Sequence, residues 1–219
     1  MEFTTLNNAT LICKLESKSI LTLDPWIIGS LYWNTWLPSK KATQKQIQEF
    51  KDSKYIFISH LHIDHWDLET LKLLDKNTYF ILPDLPFVQN VIGKNLEKNG
   101  FLNINYLKTN EIYKLDKDIS ISIIPPLNYY GAETELYENI NNEFEIALDT
   151  GLIINDLKNQ VSHLALCDNT PYSSRSAEII KKILPKNFII GSVWYPFNGA
   201  AQDYPLCYDN LSIQEKKAI

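Results

Sequence analysis

The chain is poor in every feature that marks a disulfide scaffold, a nucleic-acid binder or a membrane protein. Its three cysteines, Cys13, Cys167 and Cys207, are odd in number, widely spaced and without a C-x-x-C pair. A disulfide framework is therefore excluded, and the three read as buried thiols of a reducing compartment, so a cytoplasmic location is expected. Lys and Arg number 21 against 26 Asp and Glu, a net charge of −5, and no basic stripe interrupts this balance. That argues against a nucleic-acid partner, whose phosphates call for a concentrated positive surface. No basic-plus-apolar leader opens the chain, and no apolar run is long enough to cross a bilayer, so no membrane association is expected. Internal repeats and low-complexity linkers are missing as well. What remains is 219 residues at 45% hydrophobic content, enough to bury a sizeable core as one domain over 1–219.

Histidine is scarce too, with four in the chain, yet three of them stand in His60-Leu61-His62-Ile63-Asp64-His65. The preceding Tyr55-Ile56-Phe57-Ile58-Ser59 is β-branched and aromatic and reads as a buried strand. Imidazoles two apart where such a strand ends can point the same way and grip one ion. Asp64 and His65 follow where the chain turns into a predicted helix and can face the same cavity from another side. An H-x-H-x-D-H segment of this kind points to a metal site.

Periodicity predicts a mixed order of strands and helices. Thr10 to Leu15 and Ile20 to Leu23 suggest an opening hairpin turned at Glu16 to Lys18. Thr43-x-x-Gln46 is a capping-box signal for a helix to about Lys51. Strand 55–59 precedes the motif, and a helix from about Leu68 to Leu74 follows it, capped by Asp67. Further strands are expected at Tyr79 to Leu82, Ile119 to Ile124, Ala147 to Ile154, Val161 to Cys167 and Phe188 to Tyr195. Helices are expected at Pro86 to Lys98 and Ser176 to Leu184. Taken alone, this pattern says α/β or α+β.

H-x-H-x-D-H after a hydrophobic strand resembles the signature of the metallo-β-lactamase superfamily. Leu23-Asp24-Pro25-Trp26-Ile27-Ile28-Gly29, Ile58-Ser59-His60-Leu61-His62, Thr70-Leu71-Lys72-Leu73-Leu74 and Tyr204-Pro205-Leu206-Cys207-Tyr208 resemble a narrower branch. That branch is the metallo-β-lactamase-like domain of CMP-N-acetylneuraminate hydroxylase and its bacterial relatives, and the likeness runs from about residue 10 to the C-terminus. It implies an αββα sandwich holding one or two divalent ions, zinc first, with iron or manganese as alternatives. It further implies His60 and His62 on the first metal, Asp64 and His65 on the second, and Asp168 bridging. Asp168 also stands just past an apolar strand, a position at a sheet edge where sites form; a turn or cap before Pro171 is its simpler role.

The chain departs from the family at several positions. Where a third histidine is expected after strand 119–124, Asn128 offers a weak amide oxygen. Glu133, Glu135 or Glu145 can substitute, which shifts the site towards harder ions. No histidine lies beyond His163, which alternation sets on the face opposite Asp168 and which therefore reads as structural. Ser212-x-x-Glu215 opens a helix that Ile219 cuts short, whereas the family continues and supplies a last histidine. A C-terminally shortened domain is therefore expected, with a separate chain as a way of completing the site. Nothing matches the Rieske domain that the hydroxylase carries, so an oxygenase here needs electrons from another protein.

Three functions are consistent with these residues: a hydrolase using a metal-activated water oriented by Asp64, an iron-dependent monooxygenase component, and a degenerate member without catalysis. The hydrolase is the leading expectation, with a small-molecule substrate such as a nucleotide-sugar, another phosphorylated compound or an amide. Trp26, Tyr32, Trp33 and Trp36, with Tyr195 to Gly199, read as core and lid packing; a pocket for a sugar or nucleotide is the alternative.

Overall fold

A computed structural model of the chain describes residues 1–6, 9–31, 33, 36–38, 40–124, 135–138, 144–147, 150–166 and 187–190. Its first sheet has six strands in sequential order: β1 (Glu2–Thr5), β2 (Leu11–Lys14), β3 (Ile20–Leu23), β4 (Tyr55–Phe57), β5 (Tyr79–Pro83) and β6 (Ile104–Leu107). The first three pair antiparallel, and β3 to β6 run parallel. Parallel strands must be covered on both faces, which is why Tyr55-Ile56-Phe57 is apolar throughout.

Alternation along these strands sorts the side chains into two cores. Ile12, Ile56, Ile58, Phe80 and Leu82 face a helical layer built from α1 (Gln44–Lys51), α2 (Leu68–Leu71), α3 (Pro86–Val88) and α4 (Lys94–Lys98). Leu11, Cys13, Leu21, Leu23, Tyr55, Phe57 and Ile81 face the other way, onto Ile119, Ile121, Ile123, Leu152 and Ile154 of a second sheet. Each such side chain contributes about 1.5–3 kcal/mol on full burial. The second sheet has the order β13-β12-β11-β8-β7, with β7 at Tyr113–Asp116, β8 at Ile119–Ile124, β11 at Gly151–Asp156, β12 at Val161–Leu166 and β13 at Asn187–Ile190. Its far face is covered too, since Ser120, Ser122, Ile124, Ile153 and Leu164 are buried. β9 (Glu135–Glu138) and β10 (Phe144–Ala147) form a separate antiparallel pair.

Several expected elements appear with changed limits. The capping box at Thr43 is present: its hydroxyl accepts from Gln46 N–H at 3.3 Å and its own N–H donates to the Gln46 side chain at 2.9 Å. Asp67 caps α2 as expected, but the α-helix ends at Leu71 and tighter turns carry the chain to Leu74. The helix expected over 86–98 is interrupted by a π-turn at Gln89–Gly93. Of the strand expected at 147–154, residues 151–154 fall in β11 and Ala147 ends β10, with 148 and 149 outside the described residues. Strands β1, β6, β7 and β9 have no counterpart in the sequence reading. The helices expected at 176–184 and after Ser212 lie outside the described residues. Among those described, no helix is long and apolar enough to cross a membrane.

Candidate metal centre

The centre forms where β3 and β4 end side by side, Leu23 being paired with Phe57. In parallel sheets this carboxyl end is where ligands bind. Past β3 the chain enters the left-handed region at Asp24, φ 45°, a conformation that aspartate tolerates better than most residues. Asp24 N–H donates to Phe57 O at 2.9 Å, and Thr10 Oγ1 donates to Asp24 O at 2.9 Å. The carboxylate is thereby held inside the protein, fully buried.

That carboxylate is satisfied by three donors. Ser59 N–H reaches Oδ1 at 2.7 Å, while Ser59 Oγ at 2.7 Å and His65 Nδ1 at 3.0 Å reach Oδ2. A buried anion requires such partners. Because Ser59 spends its proton on Asp24, its oxygen accepts from His60 Nδ1, 2.7 Å away. Both imidazoles thus carry their proton on Nδ1 and present the Nε2 lone pair. One carboxylate, directly and through a serine relay, sets the tautomer of two histidines.

The exposed lone pairs meet further ligand atoms. His60 Nε2 lies 2.9 Å from His62 Nδ1, and His65 Nε2 lies 3.4 Å from Asp64 Oδ2. Ligand atoms around a tetrahedral zinc ion with bonds of 2.0–2.1 Å stand about 3.3 Å apart. The His60 and His65 rings are 4.0 Å apart between centroids, so the two pairs adjoin. The segment Ile63–His65 forms one 3₁₀ turn, which swings Asp64 and His65 round to face the strand-end histidines. Burial, with His65 and His62 alongside, holds the His60 imidazole well below its ordinary pKa of 6.5. It stays neutral at pH 7, as a ligand must.

Asp24, His60 and His65 also bring ligand atoms within 4.8 Å of one another. Asp24's oxygens are already engaged by Ser59 and His65, which matches the carboxylate–histidine arrangement that supports metal sites. The donor set suits a divalent ion: neutral imidazole nitrogens, a carboxylate and supporting partners behind them. The loop is braced by Trp66 Nε1–H donating to Leu61 O at 2.8 Å and by Thr150 Oγ1 donating to Ser59 O at 2.7 Å.

His60 thus pairs with His62 and His65 with Asp64, while the His62 and His65 rings stand 6.4 Å apart between centroids. Asp168, Asn128 and Glu133 lie outside the described residues; Glu135 and Glu145 fall on β9 and β10, away from the motif in sequence. His163 is buried on β12 with its ring 4.9 Å from Phe3. Trp26 is fully buried core, but Trp33 is 95% exposed, against the core reading given to it. Sequence reasoning missed the supporting roles of Asp24, Ser59 and Thr150. The D-P-W element flagged the neighbourhood of Asp24 without showing its function, and nothing local flags Thr150.

Comparison with known proteins defines the class first. The chain has the metallo-β-lactamase fold. It matches isothiocyanate hydrolase from Delia radicum gut bacteria with a TM-score of 0.60 at 16% identity, over 86% of this chain and 70% of that one. It matches CmlA, a diiron β-hydroxylase from Streptomyces venezuelae, with a TM-score of 0.55 at 18% identity, over 81% of this chain and 32% of that one. Sequence likeness adds curated relatives over part of the chain. The chain is 27% identical over 130 residues to cytidine monophosphate-N-acetylneuraminic acid hydroxylase of Cricetulus griseus, 57% of this chain and 22% of that protein. It is 34% identical over 104 residues to a Mycolicibacterium smegmatis protein named as a Rieske 2Fe-2S iron–sulfur protein, 47% of this chain and 19% of that one. The matched segment thus spans about a fifth of the length of these curated relatives. No family model matches the chain.

Proposed function

We propose that the chain is a metal-dependent hydrolase whose ion is held by His60, His62, Asp64 and His65, with Asp168 as a further ligand by its place in the sequence. The observation that supports it most is the paired ligand geometry, His60 Nε2 with His62 Nδ1 and His65 Nε2 with Asp64 Oδ2, backed by the tautomer-setting Asp24. A divalent ion there lowers the pKa of a bound water towards neutrality and polarises the bond under attack. Asp64 keeps Oδ2 towards His65 and offers Oδ1 to orient the attacking water or take its proton. His60, being neutral, adds no positive charge to repel the ion. Small phosphorylated, nucleotide-linked or amide compounds are the substrates proposed. The named activity of the Delia radicum neighbour fits hydrolysis.

A second reading rests on the sequence relatives, a hydroxylase and a Rieske protein, and on the diiron hydroxylase sharing the fold. In it the same ligands hold iron and the chain is one component of an oxygenase fed by a separate electron carrier. Elemental mass spectrometry of the purified protein, before and after incubation with zinc, manganese and ferrous iron, separates the two. Near-stoichiometric zinc or manganese with turnover of bis(p-nitrophenyl) phosphate supports hydrolysis; retained iron with reductant-dependent oxygen uptake supports the second reading. Failure to retain any ion, or unchanged metal content and thermal stability in His62→Ala, refutes the site assignment.

A further inference from the structure

The two sheets part at the edge where β6 closes the first and β7 closes the second, and a cavity of about 450 Å³ opens between them. Its floor is Ile81, Leu107, Leu115 and Ile121, and its walls are Tyr55, Tyr79 and Tyr113. Tyr55 donates its hydroxyl to Leu115 O across the gap at 3.0 Å, which fixes the sheets' separation there. Tyr113 is fixed as well, its hydroxyl donating to Glu111 at 2.8 Å and accepting from Lys108 N–H at 3.0 Å. Tyr79 stands at the entrance, 43% exposed, its ring 6.1 Å from that of Tyr55. In a chain of net charge −5, the charged side chains lining this cavity are both positive, Lys54 and Lys114. Lys54 lies over the Tyr55 ring, 4.9 Å from its centroid. The carboxylate closest in effect to Lys54, Asp116, is not part of the lining and is occupied by the hydroxyls of Ser17 and Ser19 and by Lys117 N–H. Asn105 adds an amide at the rim.

Fixed aromatic walls flanked by ammonium groups suit a planar ring bearing an anion, and the volume falls within the range of small-molecule sites. We propose that this cavity is a binding site for a mononucleotide-like anion, separate from the metal centre. Tyr55 opens β4 and Lys54 precedes it, whereas His60 follows its end, separations of roughly 16 and 20 Å at strand rise. The base stacks on Tyr79 at the entrance, and the phosphate takes Lys54 and Lys114. The inference does not depend on what the metal centre catalyses.

The test is isothermal titration of the whole chain with AMP and with CMP, using ribose 5-phosphate as the control that lacks a base. Saturable binding is expected, weakened about tenfold by Tyr79→Ala through lost stacking and comparably by Lys114→Glu, while His62→Ala leaves it unchanged. Both Tyr79 and Lys114 are exposed, so neither substitution empties the core, and circular dichroism melting verifies folding. Absence of saturable binding at millimolar nucleotide overturns the proposal. Ribose 5-phosphate binding as tightly as AMP overturns it too, as does binding lost in His62→Ala but kept in Lys114→Glu.

Discussion

Asp24→Asn is nearly isosteric, yet it should disable the metal centre. In the parent, Oδ1 accepts one donor, Ser59 N–H, and Oδ2 accepts two, Ser59 Oγ–H and His65 Nδ1–H. An amide nitrogen at the first position faces a backbone N–H, donor against donor. At the second position it must donate, so Ser59 Oγ turns to accept from it and offers its own proton to His60. His60 then accepts at Nδ1, and so does His65, and both rings move their protons to Nε2, where the ligand lone pairs were. Loss of one supporting partner costs about 10–100-fold in metal affinity; with two ligands affected, the expected loss is about 10² to 10⁴-fold, roughly 3 to 5.5 kcal/mol. Competition for zinc against a chromophoric chelator at pH 7.5 measures this on the folded variant. Ser59→Ala breaks the relay to His60 alone and should fall between parent and Asp24→Asn. An Asp24→Asn protein that binds zinc as tightly as the parent refutes the tautomer argument.

Three further outcomes are expected. His60 is held below its ordinary pKa of 6.5, so below that pH the unfolded chain takes up a proton that the folded one refuses. Metal-free stability should therefore fall on acidification through about pH 6.5, by up to about 1.4 kcal/mol per pH unit for this one group, read by urea unfolding at pH 7.5, 6.5 and 5.5; a flat profile contradicts the burial argument. A Cβ at Gly93 would overlap the Tyr106 hydroxyl and meet ring carbon Cζ at 3.1 Å. Gly93→Ala should cost about 1–3 kcal/mol in thermal or urea unfolding, and Tyr106→Phe in the same chain should recover part of it; equal losses in both backgrounds would point elsewhere. Burial pushes the Cys13 thiol up to about 12, so iodoacetamide at pH 8 should modify it only after unfolding, as peptide mass mapping would show.

The legible parts of this molecule are those where rare residues or strong local patterns coincide. Three of four histidines with an aspartate announce the candidate ligands, and the run 55–59 announces β4, the strand that precedes them. The Thr43 capping box and the Asp67 cap are encoded within four residues each, so helix starts are readable. Asp24 was unreadable as a working residue because its partners, Ser59 and His65, are 35 and 41 positions away. Strands β6 and β7 close sheet edges through pairing with distant neighbours, with only four residues each to show a period. The close approach of Tyr106 to Gly93, which leaves no room for a Cβ, was hidden for a like reason, being set by a residue 13 positions away.

The long sequence reach of Asp24 bears on how folding and ion uptake are linked. The H-x-H-x-D-H segment is continuous, but the groups that aim its nitrogens come together only once β3 lies against β4. An unfolded chain can offer imidazoles to an ion, though not with their protons held on the far side. An ion held as proposed would distinguish native from unfolded chain, and by mass action each tenfold excess of free ion over its dissociation constant would add about 1.4 kcal/mol to stability. On that reading the melting temperature of this protein would become a gauge of the metal supply around it.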